Sequence, residues 1–231
     1  MTKWLPVTTG KSGAHVWRGP DAYRKEGDPA EIAAEANRLT WLAAQGFPCP
    51  EVLEHAPGRL VTRALPGRPA AAGSPDLAPA IGALLRTLHE LPVADCPFDR
   101  PLRTTIAQAE ANARAGTVDL TALDPARSGW SATHLLHELH RTRPQDGEDL
   151  VVGHGDPCLP NILVDEQGRP TGVVDVSRLG VADRHNDLAI ATRNLTARWS
   201  PAAAAALLAA YGRTHPDPAK IAFYRLLDEF Y

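Results

Sequence analysis

The sequence LVVGHGDPCLPNILVDEQGRPTGVVDVSRLGVADRHNDLAIATR (residues 150–193) contains short apolar runs that end on acidic or polar clusters. Turn-forming residues at 165–168 separate two of these runs and predict a β-hairpin. Asn161 directly precedes the first strand of that hairpin, and Asp175 directly follows the second. Because antiparallel neighbours bring the start of one strand beside the end of the other, we expect these two side chains to lie side by side.

Asp156 lies in the loop five residues before Asn161, so it is expected to face the same pocket. A carboxylate and an amide oxygen held close together suit Mg²⁺, which keeps several waters and takes other ligands from substrate phosphates. The spacing Asp-x4-Asn followed by a strand-end Asp is typical of kinase-type phosphoryl transfer. In that chemistry one Asp orients and deprotonates a hydroxyl, while Asn and the second Asp hold metal. A lone His-Gly-Asp loop is more often a turn or a cap, but Asn161 and Asp175 at these offsets favour the catalytic interpretation.

The motif HGDPCLPN at 154–161, followed by VVDVSRLGVADRHNDLAIATR at 173–193, resembles the aminoglycoside 3′-phosphotransferases. These are antibiotic kinases with a protein-kinase-like fold. The likeness extends over most of the chain and includes TGKSGAHVWR at 9–18, EANRLTWLAAQGFPCPEVLE at 35–54 and FYRLLDEFY at 223–231.

The resemblance implies an α+β, protein-kinase-like fold with two lobes. A small antiparallel sheet is expected in an N-terminal nucleotide-binding lobe at 1–63. A mainly helical lobe for catalysis and substrate binding is expected at 68–231. The run Ala64-Leu65-Pro66-Gly67 interrupts the strand pattern, so residues 64–67 are expected to form the hinge.

Apolar alternation, turn residues and helix caps predict the elements of both lobes. Strands are predicted at 5–9, 14–18, 22–25, 51–55 and 59–62. Helices are predicted at 29–44, from Ser74-Pro75 onward, at 105–115, after Ser131, at 201–211 and from Pro218 to the last residue. We interpret the leucine stripes of these helices as core.

Five residues are expected to serve ATP. The Ser12 hydroxyl and the glycine-containing loop around it could cover a triphosphate; a plain hairpin loop is the alternative, and the resemblance favours the nucleotide. Lys25 and Glu35 would form the ion pair that orients the lysine of the α- and β-phosphates in kinases. Without the resemblance they would be two solvated surface charges. By the same resemblance, Arg63 and Leu65 present a backbone carbonyl and an N–H to adenine.

The resemblance also implies roles around the reacting hydroxyl. Asp156 would be the catalytic residue that aligns it. Arg178 and Arg193 lie where the family carries arginines near the site, and they are expected to hold the catalytic loop and aspartate carboxylates. Asp187 is expected to anchor the catalytic loop rather than to touch substrate.

The last residues resemble the family ending that binds the amines of the antibiotic. Asp228, Glu229 and the carboxylate of Tyr231 would place three negative groups on one short segment, and charge-assisted contacts to ammonium groups are strong. The alternative is a packed helix end with solvated acidic side chains.

Two departures from the family pattern concern substrate binding. Pro125 and Ala126 stand where relatives have an acidic pair, and Ala197 stands where an acidic residue is usual. Because each charge-assisted contact contributes about 1.5 to 3 kcal/mol, losing two would weaken binding by a factor on the order of 100. The preferred aminoglycoside is therefore left open.

Composition limits the class of protein. The chain has 231 residues, 44% of them hydrophobic, and a formal net charge of −3 without a basic block, so a nucleic-acid partner is not expected. Three cysteines without a paired motif argue against a disulfide framework and favour a cytoplasmic location. No signal peptide and no stretch of eighteen apolar residues is visible, so no membrane partner is expected. A monomer or weak dimer is expected.

We therefore expect an ATP- and Mg²⁺-dependent kinase that phosphorylates the 3′-hydroxyl of an aminoglycoside and gives resistance. A kinase for another hydroxylated molecule, such as a macrolide, choline or a sugar amine, is the first alternative. A nucleotide-binding regulator without phosphoryl transfer is the second, and Lys25, Asp156, Asn161 and Asp175 together argue against it. A metal-dependent hydrolase would need more His or Asp ligands than this cluster offers.

Overall fold

The computed structural model describes residues 4–7 and 14–231. An antiparallel five-stranded sheet forms the first part of the chain, in the order β1-β2-β3-β5-β4. Its strands are β1 (Leu5–Val7), β2 (His15–Arg18), β3 (Ala22–Glu26), β4 (Val52–Ala56) and β5 (Arg59–Arg63). The predicted strands are confirmed to within one or two residues at the described ends. The loop that carries Ser12 lies outside the described residues.

Helix α1 (Pro29–Ala44) follows β3 and packs against β4 and β5. Asp28 caps it by accepting hydrogen bonds from the backbone N–H groups of Ala30 and Glu31, as the sequence predicts. Its predicted apolar face, which begins at Ile32, is buried, and Glu35 is buried on the same face. The helix ends where Gly46 takes a positive φ of 72°.

The rest of the described chain is mainly helical and contains two small β-structures. Its helices are α2 (Ala78–His89), α3 (Leu102–Ala115), α4 (Ala132–Arg141), α5 (Arg184–Arg198), α6 (Pro201–Tyr211) and α7 (Pro218–Leu227). Its strands are β6 (Arg68–Pro69), β7 (Leu150–Gly153), β8 (Ile162–Val164), β9 (Pro170–Val173) and β10 (Gly180–Asp183). Together with the first sheet they confirm the α+β class.

Several boundaries differ from the sequence prediction. The helix expected from Ser74 starts with a 3-10 turn, and α2 begins only at Ala78. Helix α3 begins at Leu102, three residues before the predicted start. Strand β10 and helix α5 were not predicted as elements. Helix α5 is buried on several sides and lacks a clean apolar stripe, so its periodicity is weak in the sequence.

The predicted hairpin is formed by β8 and β9. Ile162 pairs with Val173 in antiparallel register, and the N–H of Val174 donates to the carbonyl of Asn161 at 2.9 Å. Asn161 and Asp175 therefore flank neighbouring strand ends, as the sequence predicts.

The segment 64–67 packs directly on this hairpin. Thr171 Oγ1 donates to the Pro66 carbonyl at 2.7 Å. At Gly67, a Cβ would lie 2.3 Å from the Val164 carbonyl oxygen, and φ is 102°. Only glycine fits that close approach. The segment after α1 also contacts the hairpin: the Pro48 carbonyl accepts the backbone N–H of Val173 at 3.1 Å.

Two buried apolar clusters support these elements. The larger includes the inner faces of α1, α2, α5 and α6 together with β8 and β9. The smaller joins α3, α4 and α7 around Phe223 and Phe230. No helix in the described part of the chain has the length and apolar character needed to cross a bilayer.

Candidate active site

The ammonium group of Lys25 lies where the sheet, α1 and the β8–β9 hairpin meet. Strand β3 holds Lys25 between β2 and β5, so its backbone is fixed on both sides. Lys25 Nζ lies 2.7 Å from Glu35 Oε2 and 3.2 Å from Asp175 Oδ1. Burial alone would lower the pKa of Lys25, but the two carboxylates raise it above its ordinary value. Lys25 is therefore held as a cation between α1 and the hairpin.

Asp175 has an unusual backbone conformation. Its φ is 57°, and no other non-glycine residue in the described part of the chain has a positive φ. The left-handed region is uncommon for side-chain-bearing residues and occurs at functional sites. The Asp175 side chain is 40% exposed, whereas that of Glu35 is 8% exposed. The unusual backbone thus occurs at a carboxylate that a ligand can reach.

Asp156 projects from the loop after β7 and is partly buried. Burial raises the pKa of Asp156 above its ordinary value, and the charge of Arg178 acts in the opposite direction. Asn161 Nδ2 donates to the Asp156 carbonyl at 3.0 Å and to Asp156 Oδ2 at 3.3 Å. Nearby, burial raises the pKa of the Cys158 thiol to about 12, so this cysteine is not an activated nucleophile.

His154 connects the loop of Asp156 to the hairpin. Its Nδ1 accepts the backbone N–H of Asp156 at 3.2 Å, and its Nε2 lies 3.1 Å from the Val174 carbonyl. One ring nitrogen must therefore accept while the other donates, which corresponds to the neutral Nε2–H tautomer. The fully buried ring ties Asp156 to the residue before Asp175.

Asp187, which lies on α5, holds the loop after β7 through hydrogen bonds to its backbone. Its carboxylate accepts the backbone N–H of His154 at 2.6 Å and that of Gly155 at 2.9 Å. His89 Nε2 lies 3.0 Å from the same carboxylate, and His89 Nδ1 lies 2.7 Å from the Tyr211 hydroxyl. Burial opposes ionisation, yet the hydrogen bonds from His89 and the loop lower the pKa of Asp187 to about 2. Asp187 therefore holds the loop that carries Asp156 through its backbone N–H groups.

Sequence reasoning did not identify His89 as part of this anchor. The sequence placed it near the end of a leucine-rich helix, where a histidine without a ligand-like neighbour carries no signal. Its partner Asp187 is 98 residues away along the chain. Arg100 was missed for the same reason, although its guanidinium donates to the carbonyl of Arg178 at 3.1 Å.

Two expected arginines bind the end of the chain. Arg178 Nη1 lies 3.3 Å from Asp228 Oδ1, and Arg193 forms an ion pair with the other oxygen of Asp228. The guanidinium of Arg178 also lies 4.6 Å from the centre of the Tyr231 ring. Tyr231 in turn donates its hydroxyl to the Thr105 carbonyl at 2.8 Å. The segment after α7 is thus held beside Asp156. The charge of Arg178 lowers the pKa of Asp156, and that of Asp228 raises it.

Glu229 points to a different partner. Its Oε1 lies 2.7 Å from Arg127 Nη1, and the backbone N–H of Asp124 donates to the same carboxylate at 3.2 Å. Burial raises the pKa of Glu229, against the effect of these two donors. Pro125 and Ala126, where an acidic pair was expected from the family pattern, form a turn capped by Asp124. The sequence did not predict that Glu229 has a partner inside the chain.

The remaining candidate residues are more loosely placed. Arg63 ends β5 and donates its backbone N–H to the Glu51 carbonyl at 2.9 Å, while its side chain pairs with the Glu51 carboxylate on the surface. Leu65 is half-buried and packs beside Gly172 of the hairpin. Ala197 is exposed near the end of α5. Ser12 lies outside the described residues.

Comparison with known proteins gives similarity over nearly the whole chain. The profile of the phosphotransferase enzyme family (APH) matches residues 12–224. An aminoglycoside 3′-phosphotransferase from Streptomyces fradiae is 44% identical, covering 99% of this chain and 95% of the relative. The crystal structure of aminoglycoside-3′-phosphotransferase of type VIII superposes with a TM-score of 0.89 at 43% identity, covering 100% of this chain and 94% of the other.

A further solved structure carries ligands. Aminoglycoside phosphotransferase APH(3″)-Id from Streptomyces rimosus, in complex with ADP and streptomycin, has a TM-score of 0.87 at 31% identity. The match covers 98% of this chain and 92% of that one.

Proposed function

Because the chain belongs to the phosphotransferase enzyme family, we propose that it transfers the γ-phosphate of ATP to the 3′-hydroxyl of an aminoglycoside antibiotic and so gives resistance. The observation that carries this proposal is the meeting of Lys25, Glu35, Asp156, Asn161 and Asp175 at one site. Their spacing in the sequence favours phosphoryl transfer, and the similar proteins named above are antibiotic kinases.

Asp156 acts on the acceptor. It aligns the hydroxyl and accepts its proton as the bond to phosphorus forms. Partial burial, which raises the pKa of Asp156, makes it a better proton acceptor than an exposed aspartate. His154 Nδ1 accepts the backbone N–H of Asp156, and Asp187 accepts the N–H groups of the two preceding residues, so the loop is fixed before the substrate binds. Asn161 contacts the Asp156 carboxylate itself.

Asn161 and Asp175 suit Mg²⁺. Asn161 uses its amide nitrogen on Asp156, which leaves the amide oxygen as the metal donor, and the Asp175 carboxylate is 40% exposed. In the described part of the chain no three His, Cys, Asp or Glu side chains lie together as a metal site. Two protein ligands plus phosphates and water are the usual environment of Mg²⁺. When bound, the ion neutralises charge on the transferring phosphoryl group.

The remaining nucleotide contacts come from the sheet and the hinge. Lys25, oriented by Glu35, binds the α- and β-phosphates. Ser12 lies outside the described residues, and its role toward the phosphates rests on the family resemblance alone. Arg63 and Leu65 present backbone groups to adenine. We accordingly assign residues 1–63 to the nucleotide lobe, 64–67 to the hinge and 68–231 to the catalytic and substrate-binding lobe.

The acceptor is bound by the end of the chain and the arginines beside it. Arg178 and Arg193 position Asp228 next to Asp156. Glu229 and Tyr231 complete this side of the site. Contacts on this side contribute to binding of the acceptor before and during transfer, which affects KM more than kcat.

The test is a coupled assay of ATP turnover with kanamycin, which has a 3′-hydroxyl, and with tobramycin, which lacks it. Kanamycin is expected to be phosphorylated and tobramycin to inhibit competitively. Phosphorylated tobramycin detected by mass spectrometry would contradict 3′ selectivity. Turnover of a macrolide or choline, with no turnover of any aminoglycoside, would instead support a kinase for another small molecule.

A further inference from the structure

The acceptor side of the site contains guanidinium groups that are already bound to its carboxylates. Asp228 binds Arg178 and Arg193, and Glu229 binds Arg127. The pair of Arg127 and Glu229 is the most buried of these, with 14% and 5% of the two side chains exposed. Three positive groups therefore face the two acidic side chains that would attract a polycationic antibiotic.

Glu229 has little capacity left for a further donor. Its Oε1 accepts from Arg127 at 2.7 Å and from the Asp124 N–H at 3.2 Å, and its Oε2 lies 3.3 Å from the same N–H. Asp124 also accepts the N–H of Ala126 at 2.9 Å, which holds the turn that presents Arg127. Only 5% of the Glu229 side chain is exposed and Arg127 makes its shortest contact, so an ammonium group of a substrate has to compete with Arg127 for this carboxylate.

An arginine is well suited to this position. Its guanidinium is charged at any ordinary pH and its planar fork fits a carboxylate. Removing one partner of a buried ion pair leaves an uncompensated charge, which is strongly unfavourable. Glu229 therefore needs a cation, and the chain supplies one before the substrate arrives.

Building on the proposed function, we propose that Arg127 is a specificity-determining residue that gives Glu229 the cation an antibiotic amine would otherwise provide. The enzyme gains little affinity from an additional amine on the acceptor. It therefore discriminates little between aminoglycosides that differ by one amine near the reacting ring.

The experiment measures KM for two pairs of acceptors that share the 3′-hydroxyl and differ in one group. Neomycin and kanamycin B carry an amine where paromomycin and kanamycin A carry a hydroxyl. In the unmodified enzyme the two KM values of each pair are expected to agree within about twofold. Arg127→Gln should lower the KM of the more aminated member about tenfold relative to its partner in at least one pair, the size of one charge-assisted contact.

Two further variants separate this effect from a loss of charge in general. Adding Glu229→Gln to Arg127→Gln should abolish the gain, because the freed carboxylate is its source. Arg141→Gln removes the same charge from an exposed pair with Glu138 on α4 and should leave all KM ratios unchanged. The KM for ATP is the internal reference in every variant.

The proposal is overturned by unchanged KM ratios in Arg127→Gln, by a gain that persists in the double variant, or by an unmodified enzyme that already prefers the more aminated acceptors tenfold. If Arg127→Gln does not fold, Arg127→Lys keeps a cation but loses the fork. It should shift the ratio at least about twofold in the same direction, and an unchanged ratio overturns the proposal.

Failure of the proposed function gives a different result. An unmodified enzyme that phosphorylates no aminoglycoside contradicts the function, whatever the ratios. In that case the same ratios, measured as dissociation constants by calorimetry, still decide whether Arg127 competes with amines for Glu229.

Discussion

The nucleotide side and the acceptor side of the site use charge in opposite ways. On the nucleotide side one cation, Lys25, serves two carboxylates, those of Glu35 and Asp175. On the acceptor side three guanidinium groups serve the carboxylates of Asp228 and Glu229. Negative charge is therefore left unneutralised where a metal is proposed to bind, whereas the acceptor side already contains its own counterions.

Exposure distinguishes the carboxylate proposed to bind metal from one that is paired inside the chain. Asp175 is 40% exposed, while Glu229 is 5% exposed. A carboxylate that must take up an ion from solution has to stay open, whereas one that holds a loop is more effective when water is excluded. Under the proposed function, the residues for transfer are therefore in place in the folded chain, and acceptor recognition involves carboxylates that already have partners inside the chain.

The largest effect is expected from neutralising Asp175, the exposed carboxylate beside Lys25. We expect Asp175→Asn to reduce phosphoryl transfer below detection at any practical Mg²⁺ concentration, because a metal ligand and a partner of Lys25 are altered together. Asn161→Ala should be partly rescued at high Mg²⁺. The measurement is activity as a function of Mg²⁺ concentration. If Asp175→Asn and Asn161→Ala both behave like the unmodified enzyme, the proposed metal site is wrong.

The next largest effect concerns Asp156. Asp156→Asn should reduce kcat by roughly 100-fold or more, the scale of a lost general base, with the KM for ATP unchanged. Because burial raises the pKa of Asp156, the activity of the unmodified enzyme should fall with decreasing pH at a pH above the ordinary aspartate range. Near-normal turnover by the variant would remove Asp156 from the catalytic role.

A third prediction concerns Asp187, which holds the loop that carries Asp156. The pKa of Asp187 is lowered to about 2 from an ordinary 3.8, so its contribution to stability is complete above pH 4 and is lost as the pH falls toward 2. At 1.36 kcal/mol for each pKa unit this amounts to about 2 kcal/mol. Urea unfolding between pH 2 and 6 measures it.

Asp187→Asn should lack that part of the pH dependence. Asp76→Asn, which removes an exposed carboxylate in the turn before α2, is the matched control and should keep it. Identical pH profiles for Asp187→Asn and the unmodified chain would contradict an anchoring carboxylate.

The smallest expected effect tests the acceptor side. Asp228→Asn weakens the contacts to Arg178 and Arg193, and we expect it to raise the aminoglycoside KM about tenfold while leaving the KM for ATP unchanged. Steady-state kinetics with each substrate varied in turn gives both constants. Equal increases in both KM values would show that the two sides are not independent.

Much of the geometry of the candidate site could be predicted because its parts are close together in the sequence. The hairpin that brings Asn161 and Asp175 together spans few residues, and residues 165–168 are of types that commonly form turns. The Asp28 cap and the burial of the Ile32 face of α1 were confirmed for the same reason. Helix α5 was not predicted because it is buried on several sides, so its apolar residues do not follow a clear helical period.

The spacing of Asp156, Asn161 and Asp175, together with the match to an antibiotic-kinase pattern, was enough to identify from the sequence the residues that we propose carry the chemistry. Which charges remain available depends on the folded chain, because pairs such as Arg127 with Glu229 join residues 102 positions apart in the sequence. Burial and pairing set whether a carboxylate is open to a ligand, and both arise from packing between distant segments. No local pattern in the sequence encodes them.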